Sequence, residues 1–139
     1  MWKLYAILSA IFASLTAVFC KYGVKDIDSN LATGIRTVVI LLLVWGIIFA
    51  TNSIDQLKNI TCKNYIFLII SGIATGLSWL FYFKAIQCGD LSKVAPIDKL
   101  SIVLTMVLGV ILFKESVSLP LILGAGLIVS GVLVLLNFA

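Results

Sequence analysis

The 139-residue chain has no histidine, only six carboxylates, and charge on just 12% of its residues. Without histidine there is no side chain whose ordinary pKa lies near neutrality, so acid–base catalysis at pH 7 loses its commonest agent. Cys20, Cys62 and Cys88 are odd in number and lack metal-ligand spacing. They read as small, semi-apolar residues near helix ends, not as a disulfide framework or a metal site. The sequence also has no Walker loop and no nucleophile with a base beside it. An enzyme is therefore not expected, and neither a cofactor nor a metal. The lysines and arginine give a net charge of +4 but are scattered, with no basic face carrying aromatics. Nucleic acid is not expected as a partner, and the positive charge is expected to meet lipid headgroups.

Apolar residues fill the space these absences leave. They make up 62% of the chain, well above the range of a soluble domain. They fall into five runs, Leu4–Cys20, Leu31–Thr51, Tyr65–Gln87, Val94–Phe113 and Leu119–Ala139. Crossing a hydrocarbon layer about 30 Å thick takes roughly 20 helical residues, which each run approaches or supplies. Transmembrane strands would instead alternate apolar and polar residues in pieces of about ten. The fold class is an all-α membrane protein with five transmembrane helices in one domain, residues 1–139, whose longest connection is Asn52–Asn64. Lys3 followed by an apolar run resembles the start of a signal peptide. No small-x-small cleavage site precedes Cys20, and Phe19 stands where a lipoprotein signal needs a small residue, so the first run is expected to remain as a helix.

Five crossings put the two ends of a chain on opposite faces of the membrane. Cytoplasmic loops normally carry the Lys/Arg excess that fixes orientation. Here Lys3, Lys58, Lys63 and Lys114 lie on one face, and Lys21, Lys25, Lys84 and Lys93 on the other. That balance permits insertion in both orientations, and two opposed copies would form an inverted pair like the repeats of secondary transporters. A single orientation dictated by the first helix is the alternative.

Ionisable residues inside spans cost about 2.5–3.5 kcal/mol each on insertion scales and so require a partner or a purpose. Arg36 lies about 8 Å into the second span, and Asp98 and Lys99 about 6–8 Å into the fourth, from the same face. Lys84 approaches that face from the end of the third span. Two readings follow: Asp98 ties helices by pairing with Arg36 or Lys99 while Lys84 snorkels, or an uncompensated cation holds an anionic group of a substrate. Small and polar residues recur at helical spacing in Ser9, Ala13, Thr16 and Cys20, in Ser71, Thr75, Ser78 and Tyr82, and in Asp98, Ser101, Thr105 and Gly109. Such stripes either line a narrow wet path or let helices approach closely, as Gly72-x-x-x-Gly76 and Gly126-x-x-x-Ser130 also would. Trp79 lies deeper than the interfacial position usual for tryptophan, as an aromatic wall for an amphiphile or in contact with lipid. Pro96 sits in the first turn of helix four or bends it. The candidate substrate-binding residues are thus Arg36, Lys99, Asp98, Lys84, Ser78, Tyr82, Trp79, Ser101 and Thr105.

The run Val94-Ala95-Pro96-Ile97-Asp98-Lys99-Leu100-Ser101, the segment Phe113-Lys114-Glu115-Ser116 and the stretch Gly124-Ala125-Gly126-Leu127-Ile128-Val129-Ser130-Gly131 resemble the EamA domain of the drug/metabolite transporter superfamily. Ala32-Thr33 followed by Arg36 is similar to that family's second helix, and the resemblance spans essentially the whole chain. It implies a half-transporter repeat of the single-domain bacterial and archaeal type, working as a homodimer. Small multidrug relatives use a glutamate in the first helix, where Ser9, Ser14 and Thr16 stand here without an acid, which points away from export of cationic drugs. The expected function is secondary transport of a small polar or amphiphilic metabolite, anionic by the excess of cations. The transporter would sit as a multi-pass protein in a prokaryotic inner or plasma membrane and work by alternating access. The rival is an accessory membrane subunit or flippase component for lipid-linked sugars.

Overall fold

A computed structural model of the chain describes residues 1–138, and the last residue of the expected fifth span, Ala139, lies outside them. Six α-helices follow in order: α1 Trp2–Gly23, α2 Ser29–Ala50, α3 Cys62–Cys88, α4 Leu91–Asp98, α5 Leu100–Phe113 and α6 Leu119–Phe138, with no strand among the described residues. Five stretches are long and apolar enough to cross a membrane, α4 and α5 together making one of them, Leu91–Phe113. The expected spans are all present, most of them longer by a few residues than the apolar runs. Polar turns continue the backbone hydrogen bonding past the point where hydrophobicity stops.

The chain divides into two compact units, Phe19–Gln87 and Met1–Val18 with Cys88–Ala139. In the first, the buried residues gather where the α1–α2 turn meets the end of α3. Val24, Phe83 and Ile86 are almost wholly enclosed there, and Ser29 and Thr33 are buried beside the turn. Asp28 begins α2: its backbone is extended, and its Oδ1 accepts from the N–H groups of Asn30 at 2.9 Å and Leu31 at 3.2 Å. Two of the donors left open at every helix start are thereby satisfied. The buried Thr33 hydroxyl donates to Ser29 O at 2.8 Å, so no polar group is stranded.

Two side chains fasten this turn to α3. Gln87 Nε2 donates to Val24 O at 2.9 Å and to Ile27 O at 2.6 Å. Lys21 Nζ donates to Ile86 O at 2.6 Å, placing a cation at the negative end of α3. Neither role is visible in the sequence, where Lys21 reads as a topology lysine and Gln87 as the last residue of a span. At the opposite end of this unit, the longest connection, Asn52–Asn64, holds a 3₁₀ helix, Ser53–Asn59. Asn52 starts it with φ 51° and ψ 30°, a left-handed conformation that asparagine tolerates. In a 3₁₀ helix residues three apart eclipse, which stacks Ile54 over Leu57 and Asp55 over Lys58, the latter two joined at 3.4 Å.

In the second unit, the expected single helix over residues 94–113 is two helices meeting at Lys99. Pro96 lies inside α4, where it has no N–H to give and its ring crowds the carbonyl four residues back. Three residues on, the Lys99 N–H turns to Pro96 O at 3.0 Å, a tighter 3₁₀-type step. Pro96 therefore bends the span instead of merely starting it. At the far end of α5, Lys114 adopts φ 53° and closes the helix. Glu115 folds back over Gly109, where a Cβ would come within 2.9 Å of its Oε2. Pro120 sits in the first turn of α6, which needs no donor.

Much of the remaining helix surface is apolar. Phe12, Leu42, Leu68, Leu104 and Leu127 are each more than 60% exposed. A surface of this kind is stable only where hydrocarbon covers it, and helices satisfy their backbone groups within it. Gly72, Gly76 and Gly126 have nothing within 4 Å of the position of a Cβ.

The Gln87 clamp is tested by Gln87→Leu, which leaves two carbonyls unpaired. It is expected to lower stability by about 1–3 kcal/mol, read as a drop in Tm in detergent, whereas Gln56→Leu leaves Tm unchanged.

Candidate substrate site

Arg36 is the chain's only arginine. Because α2 begins at Ser29, the guanidinium is carried about 10 Å along the helix from that end. Its Cζ lies 3.3 Å from the centroid of the Trp79 ring and 5.5 Å from that of Phe83. At 3.3 Å the guanidinium must lie nearly flat, since a steep tilt would drive a nitrogen into the indole. Its N–H donors then point outward in the plane of the stack, toward whatever lies beside the ring.

The aromatic residues hold one another in place. Trp79 meets Tyr82 edge-on at 5.6 Å and 86°, and Phe83 at 5.5 Å and 76°. Both are favourable geometries for rings with negative faces and positive edges. Phe83 is fully buried and anchors the group to the core around Ile86 and Val24. Cys20 of α1 and Tyr82 are close enough to Arg36 to interact with its charge. The ion pairs Lys58–Asp55, Lys93–Asp90 and Lys99–Asp98 engage other cations, and none joins a described carboxylate to Arg36. A half-buried cation thus sits within a span on an aromatic platform, with its charge unmatched.

Each of the other candidates has its own surroundings. Ser78 and Lys84, in the same unit, are exposed, and neither belongs to the aromatic group. In the other unit, Asp98 pairs with its neighbour Lys99 at 3.3 Å. Their side chains are 35% and 52% exposed respectively, so this is a partly solvated pair of modest strength. Lys99 borders a shallow groove of about 480 Å³ between the α4–α5 bend, at Ala95 and Pro96, and Leu127, Gly131 and Leu135 of α6. Ser101 and Thr105 are exposed, and the Thr105 hydroxyl donates to Ser101 O at 2.8 Å. Thr75 does the same to Ser71 O at 2.9 Å. These hydroxyls are satisfied by their own helices.

The sequence identified Arg36, Trp79 and Tyr82 separately but did not connect them. Phe83 was missed, though it lies four residues after Trp79 and so on the same helical face.

A double-mutant cycle on Arg36→Gln and Trp79→Leu, followed by thermal unfolding, is expected to give a coupling of about 0.5–2 kcal/mol. Asp98→Asn is expected to cost less than about 1 kcal/mol, as for an exposed pair.

Comparison with known proteins agrees with this architecture. Residues 1–137 match the EamA-like transporter family. The chain is 47% identical over 137 residues to an uncharacterized transporter of a Sinorhizobium species, encoded in the cobO 3′ region, an alignment covering 99% of this chain and 97% of the relative. It is 28% identical over 130 residues to an uncharacterized protein of Methanocaldococcus jannaschii, covering 90% and 93% of the two chains. No solved structure matches it. With five apolar spans and a family match over nearly its full length, the chain is a multi-pass membrane protein that belongs to the EamA-like transporter family.

Proposed function

We propose that the protein is a secondary transporter of a small polar or amphiphilic metabolite, and that the Arg36 aromatic cluster holds the solute. The observation that carries this reading is a cation inside a span, stacked on Trp79, with no described carboxylate to match it. A charge kept in that position purely for structure would normally be paired, because pairing lowers the cost of burial. An unmatched one is poised for a ligand that supplies the missing negative charge.

The working unit in this proposal is a homodimer of oppositely inserted copies in the cell membrane of a prokaryote, operating by alternating access. Support comes from the odd number of spans and from the even split of loop lysines. The open space beside Gly72, Gly76 and Gly126, with nothing within 4 Å of the position of a Cβ, leaves room for a second copy.

Two measurements test the proposal. Purified protein in liposomes is expected to take up a solute from a metabolite panel in counterflow, with Arg36→Gln reducing uptake by about tenfold or more while the helical signal is retained. Failure to move any solute would turn the reading toward an accessory or flippase subunit for lipid-linked sugars. Reporters fused after residue 139 are expected to give signal from both sides of the membrane, and signal from one side alone would end the dual-topology arrangement.

A further inference from the structure

We propose that the solute is an amphiphilic monocarboxylate. Its carboxylate would take paired hydrogen bonds from the in-plane edge of Arg36, with its apolar body lying along Trp79 and Tyr82, which the buried Phe83 backs. The assignment rests on the reading of the Arg36 cluster as the solute site and adds the chemical class.

Three observations narrow the class. The first is geometric. A guanidinium flat against an indole, with Cζ 3.3 Å from the ring centroid, has lost one face to the ring and presents its donors sideways as a planar fork. The planar group that matches a fork with two parallel hydrogen bonds is a carboxylate.

The second is a charge count. In the unit Phe19–Gln87 the carboxylates are Asp26, Asp28 and Asp55, and all three lie in connections outside α2 and α3. Lys84 is exposed and four residues from the end of α3, within snorkelling reach of the headgroups. Within this unit Arg36 therefore contributes a single positive charge inside the spans. A monoanion cancels it, whereas a phosphate monoester carrying close to two charges would leave an excess negative charge in a low-dielectric place. A cationic amine would face Arg36 with no carboxylate of this unit's spans to receive it.

The third is the wall itself. Trp79 and Tyr82, in edge-to-face contact at 5.6 Å, present aromatic surface beside the cation, and the buried Phe83 supports Trp79 from behind at 5.5 Å. Such a surface rewards an apolar body on the solute far more than a polyhydroxylated one.

The test uses Trp79 as its own reporter. Trp2→Phe with Trp45→Phe leaves it as the only tryptophan of the full-length protein, which is reconstituted in lipid nanodiscs. The probes are benzoate, its neutral analogue benzamide, the cation benzylamine, and phenyl phosphate. Benzoate is expected to change Trp79 emission saturably, with benzamide and benzylamine giving no saturable change. Phenyl phosphate is expected to bind about tenfold more weakly, and Arg36→Lys, which keeps the charge but loses the fork, to weaken benzoate by about tenfold or more. Melting of the unsubstituted protein reads the same contrast, with benzoate raising Tm and benzamide leaving it unchanged.

An equal response to benzamide, phenyl phosphate as tight as benzoate, or benzoate binding untouched by Arg36→Lys would overturn the proposal. So would the absence of any saturable response to benzoate in both readouts. The two levels separate cleanly. Binding as expected without uptake of any carboxylate by liposomes sinks the transport reading and leaves the carboxylate site standing. Arg36-dependent uptake of some other solute, with no benzoate response, sinks the carboxylate class and leaves transport standing.

Discussion

The contact between the Arg36 guanidinium and the face of Trp79 organises the unit in which it lies. An arginine inside a span is costly to insert, and the usual remedies are a carboxylate partner or a retreat to the headgroups. Here the remedy is a ring. The indole face offers diffuse negative potential without a formal charge, so the cation is stabilised but not neutralised. A carboxylate in the same place would have closed the site by satisfying Arg36 from within the protein.

That contact needs α2 and α3 in fixed register, which the end of the unit supplies. Gln87 bonds both Val24 O and Ile27 O, Lys21 reaches Ile86 O, and Phe83 and Ile86 fill the space between. Asp28 starts α2 where Arg36 falls on the side of Trp79. Away from this end the helices bury little, and hydrocarbon takes over the role of core. The unit is therefore anchored at one end and largely lipid-covered at the other, with Arg36 just beyond the anchored part.

The sequence makes the spans plain because length and hydropathy alone decide whether a helix can cross a bilayer. It also singles out Arg36, Asp98 and Lys99, since charge in an apolar run is conspicuous. Partners are another matter. That Asp98 pairs with Lys99 and that Arg36 lies on Trp79 depend on rotamers and helix rotation, which periodicity does not specify. The bend at Lys99 was foreshadowed by Pro96, but Pro at the first turn and Pro in the body of a helix differ only in where the helix begins, and α4 begins at Leu91, earlier than the apolar run. The Ser53–Asn59 helix was hidden because its apolar residues, Ile54 and Leu57, are too few to form a periodic signal. Gln87 was hidden for the opposite reason: a polar residue at a span end looks like a boundary.

Because Arg36 is the only arginine, its guanidinium can be observed by itself in a proton–nitrogen NMR spectrum of protein labelled at arginine. Protons held over the face of an indole resonate upfield of their ordinary position. The stacked geometry predicts upfield-shifted Arg36 side-chain N–H signals that return to the ordinary range in Trp79→Leu. Ordinary shifts in the unsubstituted protein, unchanged by Trp79→Leu, would contradict it.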